Sequence, residues 1–250
     1  MKQRILLGLL LLAAPLAAIN VTSNITLVHI ADGLQWTTTF TIVNLDTVQA
    51  SYTLYFYDDK GNALPLSFSV DAGAVQTGPY FNGVLAINGS AVIQTVGGSV
   101  LNKGWARLNS NQILGAQAVY VEHTAIADYQ AAVPIGVVST SFTIAFDNRN
   151  GYATGVAIAS TDQLNPATVT AIFRDELGGL MGGGPITIAV LPQFGHTALL
   201  LNDPSKFSFA AGQTGTVEFD CGSCSIAGLG LRFAPPVGTG PFATSTAFTR

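Results

Sequence analysis

The amino-acid sequence predicts an all-β protein made of two tandem antiparallel β-sandwich repeats. Three observations lead to this class. Short segments alternate apolar and polar residues with the period of two that is typical of β-strands, and turn-forming residues separate them. Many of these segments occur twice in the same order. No segment has the apolar periodicity of a long amphipathic helix.

The N-terminal segment has the features of a secretory signal peptide. Lys2 and Arg4 are followed by an almost wholly apolar stretch, residues 5–14, and then by small residues that suit cleavage after Ala18. The apolar stretch is shorter than the roughly 20 residues that a membrane-spanning helix needs. We therefore expect residues 1–18 to be removed and the mature chain to have no transmembrane segment. The expected location is the periplasm, the cell surface or the medium.

The composition is that of an exported β scaffold with few charges. Only 10% of the residues are charged, against about 25% in an average domain, and 27 are Gly. Without Lys2 and Arg4, the 10 basic side chains become 8, against 14 acidic ones, so the mature net charge is about −6. Because there is no basic run, a nucleic-acid partner is not expected.

The internal repeat carries most of the information about the fold. Residues 51–61 align with residues 168–178, and both segments keep the alternation and place an acidic pair two residues before a Gly. Residues 65–70 align with residues 185–190, and both begin with Pro. Further on, Gly104 aligns with Gly215. We place the first repeat at 19–137 and the second at 138–250, joined by an apolar segment that predicts close packing.

Each repeat contains about seven short strands, which is the pattern of an immunoglobulin-like sandwich. The alternation predicts which side chains face the two cores. Those expected to point inward are Tyr52, Leu54 and Phe56 in the first repeat, and Val169, Ala171 and Phe173 in the second.

The longest difference between the repeats suggests a binding site. Aligned in this way, the first repeat has a loop at residues 71–89, where the second has only residues 191–195. Tyr80 and Phe81 lie at the predicted loop tip, and with Trp36 and Trp105 they could form a stacking surface. Asn82 could bind sugar hydroxyl groups. The alternative is that these rings fold back and cover the end of the sandwich.

Cys221 and Cys224 lie in a turn that is longer than its counterpart in the first repeat. Strands are predicted on both sides of this turn, which argues against a redox-active motif at a helix N-terminus. Two cysteines alone are also too few for a metal site. We predict a small disulfide that stiffens the turn in an oxidising compartment.

Catalytic and metal-binding motifs are not found. Residues 58–62 resemble a fragment of a calcium loop but lack its full spacing and terminal Glu, so an ordinary hairpin turn is predicted. The three histidines, His29, His123 and His196, are scattered over both repeats and are interpreted as strand or turn residues. We predict no enzyme activity, no cofactor and no metal.

Several motifs carry a resemblance to a protein group. They are Asp32-Gly-Leu-Gln-Trp36, Phe56-Tyr-Asp-Asp-Lys-Gly61, Gly104-Trp105-Ala106, Phe146-Asp-Asn-Arg-Asn-Gly-Tyr152 and Gly228-Leu-Gly-Leu-Arg-Phe233. With these motifs the chain resembles secreted bacterial tandem immunoglobulin-like β-sandwich proteins of unassigned function. The likeness covers nearly all of the mature chain, and Leu34 departs from the Gly or Ser expected there. It implies the fold and no functional residue.

Three functions follow as expectations, in decreasing order of support. The first is a non-enzymatic interaction or structural module, either adhesive or an assembly component, with a protein or glycan partner and the possibility of self-association. The second is a carbohydrate-binding protein that uses Trp36, Tyr80, Phe81 and Asn82. An extracellular hydrolase is a third, weaker alternative.

Overall fold

A computed structural model describes residues 23–249, and this part of the chain consists mainly of β-strands. The predicted all-β antiparallel fold is confirmed, and one 3-10 turn at Ser208–Ala210 is the only helical element described. The predicted signal peptide, residues 1–18, lies outside the described residues. The strands of the first half are β1 (Ser23–Asp32), β2 (Trp36–Asn44), β3 (Ala50–Asp58), β4 (Leu66–Val70), β5 (Gln76–Gly78), β6 (Tyr80–Leu85), β7 (Ser90–Thr95), β8 (Asn102–Ser110), β9 (Leu114–His123) and β10 (Asp128–Pro134). Those of the second half are β11 (Ser141–Asp147), β12 (Ala153–Ser160), β13 (Ala167–Asp175), β14 (Ile186–Leu191), β15 (His196–Leu200), β16 (Thr214–Asp220), β17 (Ile226–Phe233) and β18 (Phe242–Ser245).

The strands form four antiparallel sheets, two from each half of the chain. In the first half, one sheet has the strand order β1-β8-β3-β6 and the other has the order β10-β9-β2-β7-β4-β5. In the second half, the orders are β11-β16-β13-β14 and β15-β12-β17-β18. Apolar side chains are buried between the sheets, so the sheets pack in sandwich-like layers.

The predicted inward faces of β3 and β13 are confirmed. In β3 the three predicted inward-facing side chains, including Phe56, are buried, and in β13 the equivalent three, including Phe173, are buried as well. The two strands have the same burial pattern from end to end. Because successive side chains of a strand point to opposite faces, Thr53 and Thr170 are only partly covered.

The turns after β3 and β13 are built in the same way. Asp58 Oδ1 accepts hydrogen bonds from the backbone N–H groups two and four residues later, both at 2.8 Å. Asp175 Oδ1 does the same at 2.9 and 2.7 Å. Gly61 and Gly178 occupy the left-handed position, with φ of +80° and +84°. Residues 58–62 therefore form the predicted hairpin turn.

Gly104 and Gly215 also have equivalent surroundings. A Cβ atom at Gly104 would lie 1.8 Å from the carbonyl oxygen of Tyr57, and one at Gly215 would lie 2.0 Å from that of Arg174. Both positions therefore need glycine so that two neighbouring strands can approach.

One part of the predicted alignment between the halves is wrong. β14 pairs with β13. β4, however, does not lie in the same sheet as β3, the counterpart of β13, but in the other sheet of the first half, where it pairs with β5 and β7. The strand that matches β14 is β6, because Leu85 and Leu191 end these strands in equivalent pairs and Pro79 and Pro185 precede them. The extra segment of the first half is therefore β4 with β5. Both β4 and β14 follow a Pro and alternate, so their patterns could not distinguish them.

The two halves pack closely, as the apolar joint between them predicts. β1 of the first half contacts β12 and β17 of the second. The buried cluster of the first half accordingly includes Ala157 and Leu229. The joint between β10 and β11 is tied down where the Gly136 N–H donates to the Thr26 carbonyl at 2.7 Å.

Phe194, in the loop between β14 and β15, fastens the second half to the first. Its ring stacks on Tyr57 with a centroid distance of 4.9 Å, and the Arg107 guanidinium lies 4.9 Å from the ring centroid. The Trp105 indole N–H donates to the Phe194 carbonyl at 2.6 Å. Phe194 has φ of +56°, as does Asn88 at +57° in the corresponding loop of the first half. A left-handed conformation is unfavourable for Phe, and both the turn, which has the same Gly195 N–H to Pro192 carbonyl bond as its counterpart, and the packing of the ring on the first half stabilise it.

Candidate functional site

Tyr80, Phe81 and Asn82 do not lie on a loop tip, which corrects the sequence prediction. They begin strand β6, where they pair with Tyr55, Leu54 and Thr53 of β3. The sequence alignment matched β4 with β14, so residues 71–89 were predicted to form an inserted loop. The true insertion is β4 with β5, and β6 is the counterpart of β14. Residues that were predicted on a loop tip are therefore part of a sheet.

The predicted aromatic residues are not brought together. Tyr80 is 50% exposed and pairs with the Tyr55 ring at 6.1 Å, whereas Phe81 turns inward and packs near Phe68. Trp36 is half-buried in β2, in the other sheet, where it contacts Phe242. Trp105, which was expected to contribute to the same surface, is fully buried. Because successive side chains of a strand point to opposite sides of the sheet, Tyr80 faces solvent and Phe81 faces the core.

Tyr80 and Asn82 belong instead to a surface that sequence analysis did not find as a whole. Alternate residues of β6, β3 and β8 share one face of the sheet, and a shallow groove of about 850 Å³ runs across part of it. We call this surface the polar-aromatic face. It comprises Tyr80 and Asn82 of β6, Ser51, Thr53 and Tyr55 of β3, and Arg107 and Asn109 of β8 with Asn111 after it.

The polar-aromatic face has an aromatic end and an amide end. At the aromatic end, the Arg107 guanidinium lies 5.5 Å from the Tyr55 ring centroid, next to Tyr80. At the amide end, the Thr53 hydroxyl donates to Asn82 Oδ1 at 2.7 Å. Asn109 Oδ1 is buried and has no hydrogen-bond partner among the described residues. An unpaired buried acceptor is unfavourable, and a ligand in the groove reaches this oxygen only if the Asn109 side chain rotates.

A second arrangement that the sequence did not predict is a chain of hydrogen bonds at the junction of the halves. His196 Nδ1 lies 2.7 Å from Asp59 Oδ1, and His196 Nε2 lies 3.1 Å from His29 Nδ1. Lys103 Nζ lies 3.5 Å from Asp59 Oδ2. We call Asp59, His196 and His29 the histidine relay. His29 lies in β1 and His196 begins β15, as their interpretation as strand or turn residues predicts, but their contact across 167 positions was not predicted.

The surroundings decide the charge of each group in the histidine relay. Burial, and to a lesser extent the nearby His196, lower the pKa of His29 to about 3. Burial also lowers the pKa of His196, although Asp59 opposes the shift. Partial burial raises the pKa of Asp59, but the hydrogen bond from His196 and the charge of Lys103 outweigh it, so the pKa is lowered. At neutral pH the imidazoles are therefore neutral and Asp59 is ionised.

A cavity of about 410 Å³ lies beside the histidine relay and between the halves. We call it the junction cavity. His29, Lys103 and Tyr120 form its polar end. The Tyr120 hydroxyl donates to the His29 carbonyl at 2.7 Å. The rest is mainly apolar, with Trp36 and Leu101 from the first half and Leu199, Leu231 and Phe233 from the second.

The predicted disulfide between Cys221 and Cys224 is confirmed, with an S–S distance of 1.98 Å. It closes the turn between β16 and β17. Within residues 23–249, no group of three or more His, Cys, Asp or Glu side chains is arranged to hold a metal ion.

The fold and these sites define an antiparallel β-sandwich protein with an open polar face and an internal junction. A scan against protein-family models found no match, and comparisons with curated proteins and with solved structures found none either. No helix in the described part of the chain is long and apolar enough to cross a membrane.

Proposed function

We propose that this chain is an exported, non-enzymatic interaction module that binds carbohydrate through the polar-aromatic face, as an adhesive component outside the cell or in its envelope. The observation that carries the proposal is the row of exposed amide and hydroxyl groups along the groove, Asn82, Ser51 and Asn111, with the exposed Tyr80 ring beside it. Sugars supply many hydroxyl donors and an apolar ring face, so both ends of this surface have a counterpart in one ligand.

The groove favours an extended ligand over a small enclosed one. It is open to solvent and is lined mainly by residues of the paired strands β3, β6 and β8. Asn82 and Asn111 are exposed amides that each carry both donors and an acceptor, which matches the vicinal hydroxyl groups of a saccharide. The Tyr80–Tyr55 pair stands at the end of this row, where a sugar ring could stack.

The chemistry of the groove supports binding without hydrolysis. Glycoside hydrolysis ordinarily needs two carboxyl groups on either side of the scissile bond. The residues that line the groove include no Asp or Glu. We therefore infer that the groove binds and releases the glycan without cleaving it.

Export is part of the proposal and has two supports. A disulfide is stable in an oxidising compartment and rare in the cytosol, and the Cys221–Cys224 bond is present. The sequence of residues 1–18 also has the charge and apolar pattern of a signal peptide.

The test is a screen of neutral polysaccharides with the mature chain, followed by calorimetry of any hit. We expect Tyr80→Ala and Asn82→Ala each to weaken binding by about tenfold, which corresponds to about 1.4 kcal/mol. Gln130→Ala is the matched control, because Gln130 is an exposed strand amide on β10. A screen without hits, or unchanged affinity in both groove variants, would contradict the proposal.

A second candidate is an assembly component, and the edge position of β6 favours it. β6 ends its sheet, and Val84 on this strand is 58% exposed. Exposed edge strands can pair with another chain. Light scattering should then detect oligomers that Val84→Lys dissociates. If the protein is a monomer at high concentration, this candidate is removed, and the glycan-binding proposal stands or falls separately.

A further inference from the structure

We propose that the junction cavity binds a small apolar molecule with one neutral hydroxyl group, such as an alcohol or a phenol, and that His29 and Lys103 bind that hydroxyl. This site is separate from the polar-aromatic face and does not depend on the proposed glycan binding.

The walls of the junction cavity select an apolar body. Its volume of about 410 Å³ lies within the range of small-molecule sites, which commonly form between domains. Leu101, Leu231 and Phe233 are among the apolar side chains that line it, and they come from both halves. A ligand that fills the cavity therefore buries apolar surface against both halves at once.

The histidine relay determines which nitrogen of His29 carries a proton. Asp59 is ionised and can only accept, so His196 donates from Nδ1 and keeps a lone pair on Nε2. His196 Nε2 then accepts from His29 Nδ1–H. The remaining nitrogen of His29, Nε2, carries a lone pair. His29 therefore offers a hydrogen-bond acceptor at the polar end of the cavity.

Lys103 supplies the complementary donor. Its side chain also lines the cavity and is 45% exposed, and its ammonium group is held near Asp59 at 3.5 Å. A ligand hydroxyl can donate to His29 Nε2 and accept from the ammonium group of Lys103. An ether can only accept, so it loses the bond to His29.

A carboxylate is the poorer head group, although Lys103 is a cation. It would face the lone pair of His29 Nε2 and would need His29 to become protonated. Burial holds the pKa of His29 near 3, so protonation at neutral pH is strongly unfavourable. The site should therefore prefer a hydroxyl over a carboxylate, whereas a lysine alone would prefer the carboxylate.

The mouth of the junction cavity offers a variant that should leave the fold intact. Ala198 lines the cavity and is exposed, so Ala198→Phe should block the cavity without opening the core. Ala145→Phe is the matched control, because Ala145 is an exposed alanine in the middle of β11 and does not line the cavity.

The experiment is a titration of the mature chain at pH 7.5 with 2-naphthol, 2-methoxynaphthalene and 2-naphthoate in turn. Binding is measured by quenching of tryptophan fluorescence and by calorimetry. We expect one site for 2-naphthol, with affinity at least fivefold above that for each of the other two. This preference corresponds to one net hydrogen bond. Ala198→Phe should weaken 2-naphthol binding by at least tenfold, and Ala145→Phe should leave it unchanged.

Each alternative outcome overturns a specific part of the proposal. Absence of saturable 2-naphthol binding, or equal binding by wild type and Ala198→Phe, removes the junction cavity as a ligand site. If 2-methoxynaphthalene or 2-naphthoate binds as tightly as 2-naphthol, the assignment of His29 Nε2 as the acceptor is wrong.

Discussion

The shared turn after β3 and β13 permits a direct measurement of the contact between the halves. Gly61 and Gly178 occupy the same position of this turn, with nearly the same φ and with N–H groups that donate at 3.0 Å to the Asp that begins the turn. Only their surroundings differ. A Cβ at Gly61 would lie 1.9 Å from the Gln193 carbonyl oxygen of the second half, whereas a Cβ at Gly178 would meet nothing within 4 Å.

The expected magnitude follows from these contacts. Alanine in the left-handed conformation costs about 1 kcal/mol at either position. At Gly61 the halves must also separate locally by roughly 1.5 Å to restore van der Waals contact. This movement disrupts two hydrogen bonds between the halves. One runs from the Trp105 indole N–H to the Phe194 carbonyl and the other from the His196 backbone N–H to the Asp59 backbone carbonyl, and each contributes about 1 kcal/mol. We therefore expect Gly61→Ala to destabilise the protein by about 3 kcal/mol and Gly178→Ala by about 1 kcal/mol.

The assay is urea denaturation of the mature chain, with the free energy of unfolding extrapolated to water. The difference between the two variants isolates the junction, because the strain of the turn is common to both. Equal destabilisation by the two substitutions would refute the tight apposition of residues 61 and 193. A larger loss for Gly178→Ala would refute the equivalence of the turns.

Three further predictions concern the junction and the disulfide. Phe194→Gly should be more stable than Phe194→Ala by about 1 kcal/mol in thermal unfolding, because both lose the ring but only Gly relieves the left-handed strain; the reverse order would contradict this. Stability should fall as the pH drops from about 6.5 towards 3, by up to about 1.4 kcal/mol per pH unit for each proton taken up. The reason is that the buried, neutral His29 has a lowered pKa and binds a proton more readily after unfolding; His29→Gln should therefore reduce this slope, and an equal slope in the variant would contradict the prediction. Replacing Cys221 and Cys224 by Ser should cost about 2 kcal/mol in urea, as expected for a short closed loop, without changing the circular dichroism spectrum.

The sequence predicted what depends on local chemistry. Strand alternation identified the buried faces of β3 and β13, since side chains on a strand point to opposite sides by geometry alone. The Asp58 turn and the disulfide were predictable for the same reason, because their partners lie within four residues of each other. The two-repeat organisation with its boundary near residue 137, the signal peptide and the resemblance remain predictions.

The candidate sites were only partly predictable. Tyr80 and Asn82 were chosen for their residue types, yet the pattern placed them on a loop, because β4 and β14 have the same local sequence character. Asn109 is part of the same face only because β8 pairs with β3 in a particular register. Register between distant strands depends on packing across the whole sheet, which a single strand does not encode.

By itself, the sequence determined that this chain forms antiparallel strands, which side chains of β3 and β13 are buried, where a disulfide closes and how its acidic turns are made. The tertiary structure alone decided that β6 is an edge strand, that His29 meets His196, and that a cavity lies between the halves. Local patterns act over a few residues, whereas these contacts join residues far apart in the chain. The contact of His29 with His196 and the cavity form only when the two halves pack against each other, whereas the position of β6 depends on strand pairing within the first half.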